Sequence, residues 1–171
     1  VFKYQLYGKS MDIEKYLKNG SISKIIETEL ERYTRFFTNS YQENLAHSRK
    51  ILLEFPRWSI ISGYYAMHDA TKLFLAKSFG IKVNFQVHKT TIAILRDILN
   101  NADLIRLIEK GYEEFITMAD DLGVAKEERT QAQYYTGTEF MKEKYLQKAK
   151  FFIESVVLPY IDKLNILMNK T

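Results

Sequence analysis

Cysteine is absent from the 171 residues, and this removes disulfides, thiolate metal sites and a cysteine nucleophile from the available chemistry. A reducing interior is the simplest compartment for such a chain. Proline and glycine are scarce, with two and seven residues. A β-sandwich would need turn residues every ~8 to 12 positions, so the scarcity favours long helices. No apolar run reaches the ~18 residues of a membrane span. The opening VFKYQLYGKSMDIEKYL lacks the apolar segment of a signal peptide, so the expected location is cytoplasmic and no membrane partner is expected. Charge of one sign is also in short supply: 25 Lys and Arg against 21 Asp and Glu give +4 and a pI near 9.0. This permits a nucleic acid partner without arguing for one, since dedicated duplex binders are more strongly basic.

Hydrophobic residues make up 46% and charged residues 27% of the chain, the composition of a soluble globular protein. A single domain over residues 1–171 is the economical reading, long enough to remove ~70% of its unfolded surface from water. From Ser21 to Phe55, apolar side chains at Ile22, Ile25, Ile26, Leu30, Tyr33, Phe36, Phe37, Leu45, Leu52 and Phe55 follow helical spacing. Ser21 suits an N-cap, Pro56 stops the element, and a helix of ~52 Å at 1.5 Å per residue invites a bend near Thr38, Asn39 and Ser40. The stretch from Arg57 to Gly80 is apolar on more than one side, as in a central helix, with Gly80 as its C-cap. Its small residues Ser59, Gly63, Ala66 and Ala70 form a stripe on which another helix backbone can approach closely.

An extended link, IKVNFQV, precedes a helix from about His88 to Asn100, with Ile92, Leu95, Ile98 and Leu99 inward. NNADL makes a turn, and the next helix runs roughly from Ala102 to Leu122, with Ile105, Ile108, Tyr112, Phe115, Ile116, Ala119 and Leu122 inward and Gly123 at its end. VAKEERTQAQYYTGT reads as loop, its first half able to form a short helix. A last helix starts near Thr138, buries Tyr145, Ala149, Phe152, Ile153, Val156, Tyr160, Leu164 and Leu167, and is kinked by Pro159, whose ring removes one ladder hydrogen bond. The expected fold is therefore all-α, an up-and-down bundle of about five helices with long first and last members.

Catalytic motifs are few. The chain has no Gly-rich phosphate loop, no Gly-x-Ser-x-Gly elbow and no serine with an evident base partner. His47, His68 and His88 are about twenty residues apart and lack the spacing of a zinc helix, so neither a metal nor another cofactor is expected. Most of the twelve tyrosines and eleven phenylalanines fall at core spacing.

SGYYAMHDATKLFLAKSFGIK, the following VHKTTIAIL, and later RTQAQYY leading into EKYLQKAKFFIESV together resemble the HEPN family (higher eukaryotes and prokaryotes nucleotide-binding). The likeness covers roughly residues 40 to 160. It implies a four- or five-helix bundle, commonly a homodimer, that often works beside a small nucleotidyltransferase in toxin–antitoxin pairs. Many members are metal-independent RNases. In that branch an arginine and a histidine with four to six residues between them form the active site at a dimer interface. The arginine stabilises phosphate charge and the histidine moves a proton as the RNA 2′-hydroxyl attacks.

Here the matching frame is Arg129, four residues, then Tyr134, so tyrosine stands where the branch has histidine. Histidine near pKa ~6.5 exchanges a proton at neutrality, whereas tyrosine near ~10 does not. The expectation is therefore nucleotide or RNA binding without nuclease activity. The candidate binding residues are Arg129, Tyr134, Tyr135, Tyr65, His68, His88 and Lys89. A guanidinium fork suits phosphate and phenol rings suit bases. Plainer roles compete for each. Arg129 also suits pairing with Glu128 or a helix end, His68 a hydrogen-bonded place in the core, and His88 the start of a helix. A metal-independent RNase using His68 or His88 with Arg129, and a structural dimerisation bundle, are the alternative functions.

Overall fold

The computed structural model describes residues 13–85, 87–99, 101–128 and 138–169, with side chains described outside 119–142. In chain order the elements are α1 (Ile13–Lys18), β1 (Ile22–Lys24), α2 (Glu27–Lys50), α3 (Pro56–Phe79), β2 (Ile81–Val83), α4 (Val87–Ile98), α5 (Ala102–Glu128), α6 (Thr138–Phe152), a π-helical turn (Ile153–Val157) and α7 (Leu158–Asn169). The architecture is an all-α bundle built around α3, as its sequence pattern predicts. One short antiparallel ribbon pairs Ile22 with Val83, Ser23 with Lys82 and Lys24 with Ile81.

That ribbon displaces the helix start expected at Ser21. Ile22 and Ile25 are buried, and their β-branched side chains suit a short strand that finds a partner in the extended link. The helix begins instead at Glu27, with no side-chain cap at Ile26. Glu27 and Glu29 in its first turn and His47, Arg49 and Lys50 in its last complement the helix dipole. It passes through Thr38, Asn39 and Ser40 without interruption. Ile26, Phe36, Phe55 and Ile116, expected inward, are exposed. Phe36 yields the inner face to Phe37 and Tyr33, since consecutive helical residues point ~100° apart.

Pro56 opens α3 instead of ending α2. Its missing N–H falls among first-turn donors that have no intrahelical partner anyway. At the other end Gly80 adopts φ 64°, closing α3 on the carbonyls of Ala76 and Leu75, a left-handed cap that glycine reaches without strain.

The small-residue stripe works as its spacing predicts. The Ser48 hydroxyl donates to the Ser59 carbonyl at 2.8 Å, and the Ser59 hydroxyl returns a bond to the Ser48 carbonyl at 2.7 Å, clasping α2 to α3. A Cβ on Gly63 would lie 2.9 Å from Ile153 Cδ1, 3.1 Å from Val157 Cγ2 and 3.2 Å from Ser48 Oγ. On Gly111 it would meet mainly the flexible end of Met67, with Cε and Sδ both at 2.9 Å. Alanine gains ~1 kcal/mol of helix preference over glycine, whereas overpacking costs ~1–3 kcal/mol. Gly63→Ala is expected to lose about 1 kcal/mol net, and Gly111→Ala to be near neutral because Met67 can move. Urea denaturation of both variants checks this, and a Gly111→Ala loss equal to that of Gly63→Ala would contradict it.

The helix expected to end at Gly123 continues to Glu128. The kink expected at Pro159 takes the form of the π-helical turn: the Leu158 amide reaches Ile153 O, just ahead of the residue that cannot donate to its own turn. This widened turn also presents Ile153 and Val157 to Gly63. The remaining core is Ile60, Met67, Phe74, Leu95, Phe152, Tyr160 and their neighbours, all buried. Among the described residues no helix is long and apolar enough to cross a membrane.

Candidate functional site

Three helices bring rings together beside the middle of α3. Tyr64, Tyr65 and His68 occupy neighbouring positions on α3, with His68 one turn after Tyr64. The Gly80 turn and the ribbon send the chain back toward α3. The Asn84 side chain fixes this return by donating to Gly20 O and accepting from the Ser23 hydroxyl. Thr90 then caps Phe85 O, and His88, in the first turn of α4, lands against Tyr64. On α5, Tyr112 and Phe115 fall three apart and share a face. The Arg96–Glu109 ion pair ties α4 to α5, while Tyr16 and Lys15 of α1 both engage Asp97 of α4, each at 2.7 Å.

The Tyr64 hydroxyl lies 2.6 Å from His88 Nδ1. The rings of His68 and His88 are 4.6 Å apart between centroids. Phe115 stacks on Tyr64 at 4.7 Å and on His88 at 5.5 Å, and Tyr112 stacks on His88 at 5.7 Å. Tyr65 meets Phe115 edge-on at 5.6 Å. Burial grades across the cluster. Tyr64 is 0% exposed, His68 3% and Tyr65 38%, with His88, Tyr112 and Phe115 half-buried. The result is a patch of aromatic faces with a polar floor.

That floor is electrically neutral near pH 7. Burial, aided by the positive charge of Lys72, holds the His68 imidazole down to about 2, with the Val87 backbone opposing the shift weakly. Burial and Lys72 likewise lower His88, and burial pushes the Tyr64 phenol well above its ordinary range. Among the described residues His68 Nε2 is buried without a hydrogen-bond partner, so this histidine is a core residue that is only partly satisfied there. Its Nδ1 lies 3.9 Å from Asp69 Oδ1, too far for a hydrogen bond.

Next to His68 in sequence, Asp69 organises a second polar cluster. Its Oδ2 accepts from the Ser40 hydroxyl at 2.7 Å and from Asn44 Nδ2 at 3.1 Å, and Lys72 Nζ stands 4.0 Å from Oδ1. Burial, with the Asp69 charge, raises Tyr33 to about 12. These groups join α2 to α3.

The structure thus brings together Tyr65, His68 and His88 from the candidate set, with Lys89 exposed beside His88. Arg129, Tyr134 and Tyr135 lie outside the described residues. Tyr112 and Phe115, whose spacing places them on an inward helix face, form walls of the cluster together with Tyr64. The signal that could have found Tyr112 and Phe115 is the aromatic pair three apart beside a mid-helix glycine, Gly111, but most such pairs simply pack. Among the described residues no group of three or more His, Asp or Glu is placed to hold a metal ion. No family model matches the chain, and neither a curated protein nor a solved structure matches it.

Proposed function

We propose that the protein is a HEPN-like nucleotide- or RNA-binding bundle without nuclease activity of its own, acting as a homodimer beside a small nucleotidyltransferase. The observation that carries the binding half is the partly exposed ring cluster of Tyr65, His88, Tyr112 and Phe115. Any nucleobase has a π-face, and stacking on an aromatic side chain contributes ~1–3 kcal/mol per base. The neutral floor argues against cleavage, because a general base works best with a pKa near the operating pH. His68 lies far below neutrality, and Tyr64 stays a phenol. The homodimer and the nucleotidyltransferase partner rest on the motif resemblance alone.

Calorimetric titration with mononucleotides and short single-stranded RNAs tests this reading. Tyr65→Ala and Phe115→Ala are each expected to weaken binding about tenfold, the ~1.4 kcal/mol of one modest stacking contact. Absence of binding to every nucleotide and RNA tried sinks the binding half. A second reading, a metal-independent RNase, is favoured only by the 4.6 Å approach of the two imidazoles. RNA cleavage in chelator, lost in His88→Ala, would replace the proposal with that enzyme.

A further inference from the structure

Tyr64 is fully buried, and among the described residues its hydroxyl has one hydrogen-bond partner, His88 Nδ1 at 2.6 Å. A neutral imidazole carries its proton on one nitrogen only, and the other nitrogen accepts. Two arrangements are therefore available. If Nδ1 carries the proton, it donates to the phenol oxygen and the phenol O–H is left buried with no acceptor, which costs the desolvation of that donor. If Nε2 carries it, the phenol O–H donates to Nδ1 and both groups are satisfied. His88 is half-buried, and its Nε2 makes no hydrogen bond to a described residue, so unlike the buried Nε2 of His68 it stays open to a ligand.

We infer that Tyr64 is a positioning residue that locks His88 as a neutral ring with its proton on Nε2, so that His88 offers a ligand an uncharged N–H donor among aromatic faces. Such a donor matches an uncharged acceptor such as a base carbonyl. Lys89, next in sequence and exposed, remains the group suited to phosphate. The titratable groups facing His88 are Tyr64, Tyr65 and His68 from α3 and Tyr112 from α5, with Lys72 of α3 supplying the positive charge that acts on it. The lock is a property of the free protein; its assignment to a base carbonyl rests on the nucleotide-binding reading above.

The experiment is nitrogen-detected NMR of the histidine rings in the ¹⁵N-labelled full chain. It is run on wild type, on Tyr64→Phe and, for assignment, on His88→Gln. In wild type at pH 7 the His88 ring is expected to show a proton on Nε2 and a bare, hydrogen-bonded Nδ1. In Tyr64→Phe it is expected to show averaged signals from two tautomers and a titration midpoint moved upward, because the bond favouring the neutral ring is gone. A wild-type ring protonated on Nδ1 overturns the inference, even if Tyr64→Phe fails to fold. So does a folded Tyr64→Phe protein whose His88 signals do not change. Adding uridine, whose base carries two carbonyls, should shift the Nε2 signal, whereas inorganic phosphate should not. A Nε2 shift with phosphate alone overturns the assignment to a base carbonyl. A correct lock with no response to uridine leaves the lock standing and overturns the assignment to a base carbonyl, while the calorimetric titration with nucleotides and RNAs decides the nucleotide-binding reading.

Discussion

Replacing Asp69 with alanine is expected to cost about 3 kcal/mol of stability. The carboxylate is buried and accepts two side-chain bonds, from Ser40 and Asn44 of α2. A hydrogen bond to a charged group contributes ~1.5–3 kcal/mol, so the pair sets an upper value near ~6 kcal/mol by simple addition. Two effects reduce it. Ser40 and Asn44 are half-buried and can turn to water once released, and removing the carboxylate also ends the desolvation of a buried charge. Lys72 works the other way. Its ammonium is partly desolvated, which lowers its pKa, and Asp69 is the counter-charge that opposes that shift. Asp69→Asn keeps one acceptor oxygen and should lose about half as much. Urea midpoints for the two variants check the order. A loss under ~0.5 kcal/mol for alanine, the range of an ordinary surface substitution, would mean that the α2–α3 contact is held by the serine clasp and apolar packing alone.

Acid should begin to destabilise the protein before its carboxylates protonate. Burial holds His68 near about 2 when folded, while in the unfolded chain it titrates near its ordinary ~6.5. The native state therefore refuses a proton that the unfolded state accepts. Stability from this group is complete above pH ~6.5 and falls by up to ~1.4 kcal/mol per pH unit below it. Between pH 7 and pH 5 that amounts to about 2 kcal/mol, a large share of the ~5–15 kcal/mol that folded domains possess. His88, lowered by burial and Lys72, adds to the loss in the same direction. Asp97, held below its ordinary value first by its bond to Lys15, contributes only at lower pH. His68→Gln has no charge to bury and should flatten most of the slope in denaturation measured at both pH values. A wild-type midpoint that is the same at pH 7 and pH 5 would show that His68 is not buried as a neutral ring.

Tyr65, His68 and His88 are candidates because the motif stretches SGYYAMHDATKLFLAKSFGIK and VHKTTIAIL carry the family resemblance, and the structure brings their rings into one cluster. Their meeting could be suspected from the sequence, but the hydrogen bond from Tyr64 to His88 could not, since it joins residues twenty-four positions apart. Tyr112 and Phe115 look the same in sequence whether they face a core or an open cluster, because helical periodicity marks a buried face without saying what lies across it. The same ambiguity placed Phe36 and Ile116 inside when they are exposed. The ribbon was missed for a related reason. A three-residue strand has no periodicity of its own, and Ile22 and Ile25 fit either a helix or an extended segment until Ile81–Val83 arrives as a partner.

The sequence by itself determined the all-α class, the central place of α3, the Gly80 cap, the close-packing stripe at Ser59 and Gly63, and a break in the last helix at Pro159. Each follows from local stereochemistry: the spacing of apolar residues, a φ that glycine reaches freely, an amide that proline lacks. Tertiary structure decided the rest. It turned the Pro159 break into a π-helical turn packed on Gly63, gave Asp69 its partners on α2, and put two imidazoles and a phenol in a neutral, half-covered ring cluster. Those outcomes depend on which backbones approach and what they exclude from water, and desolvation and long-range hydrogen bonding exist only once the helices have met.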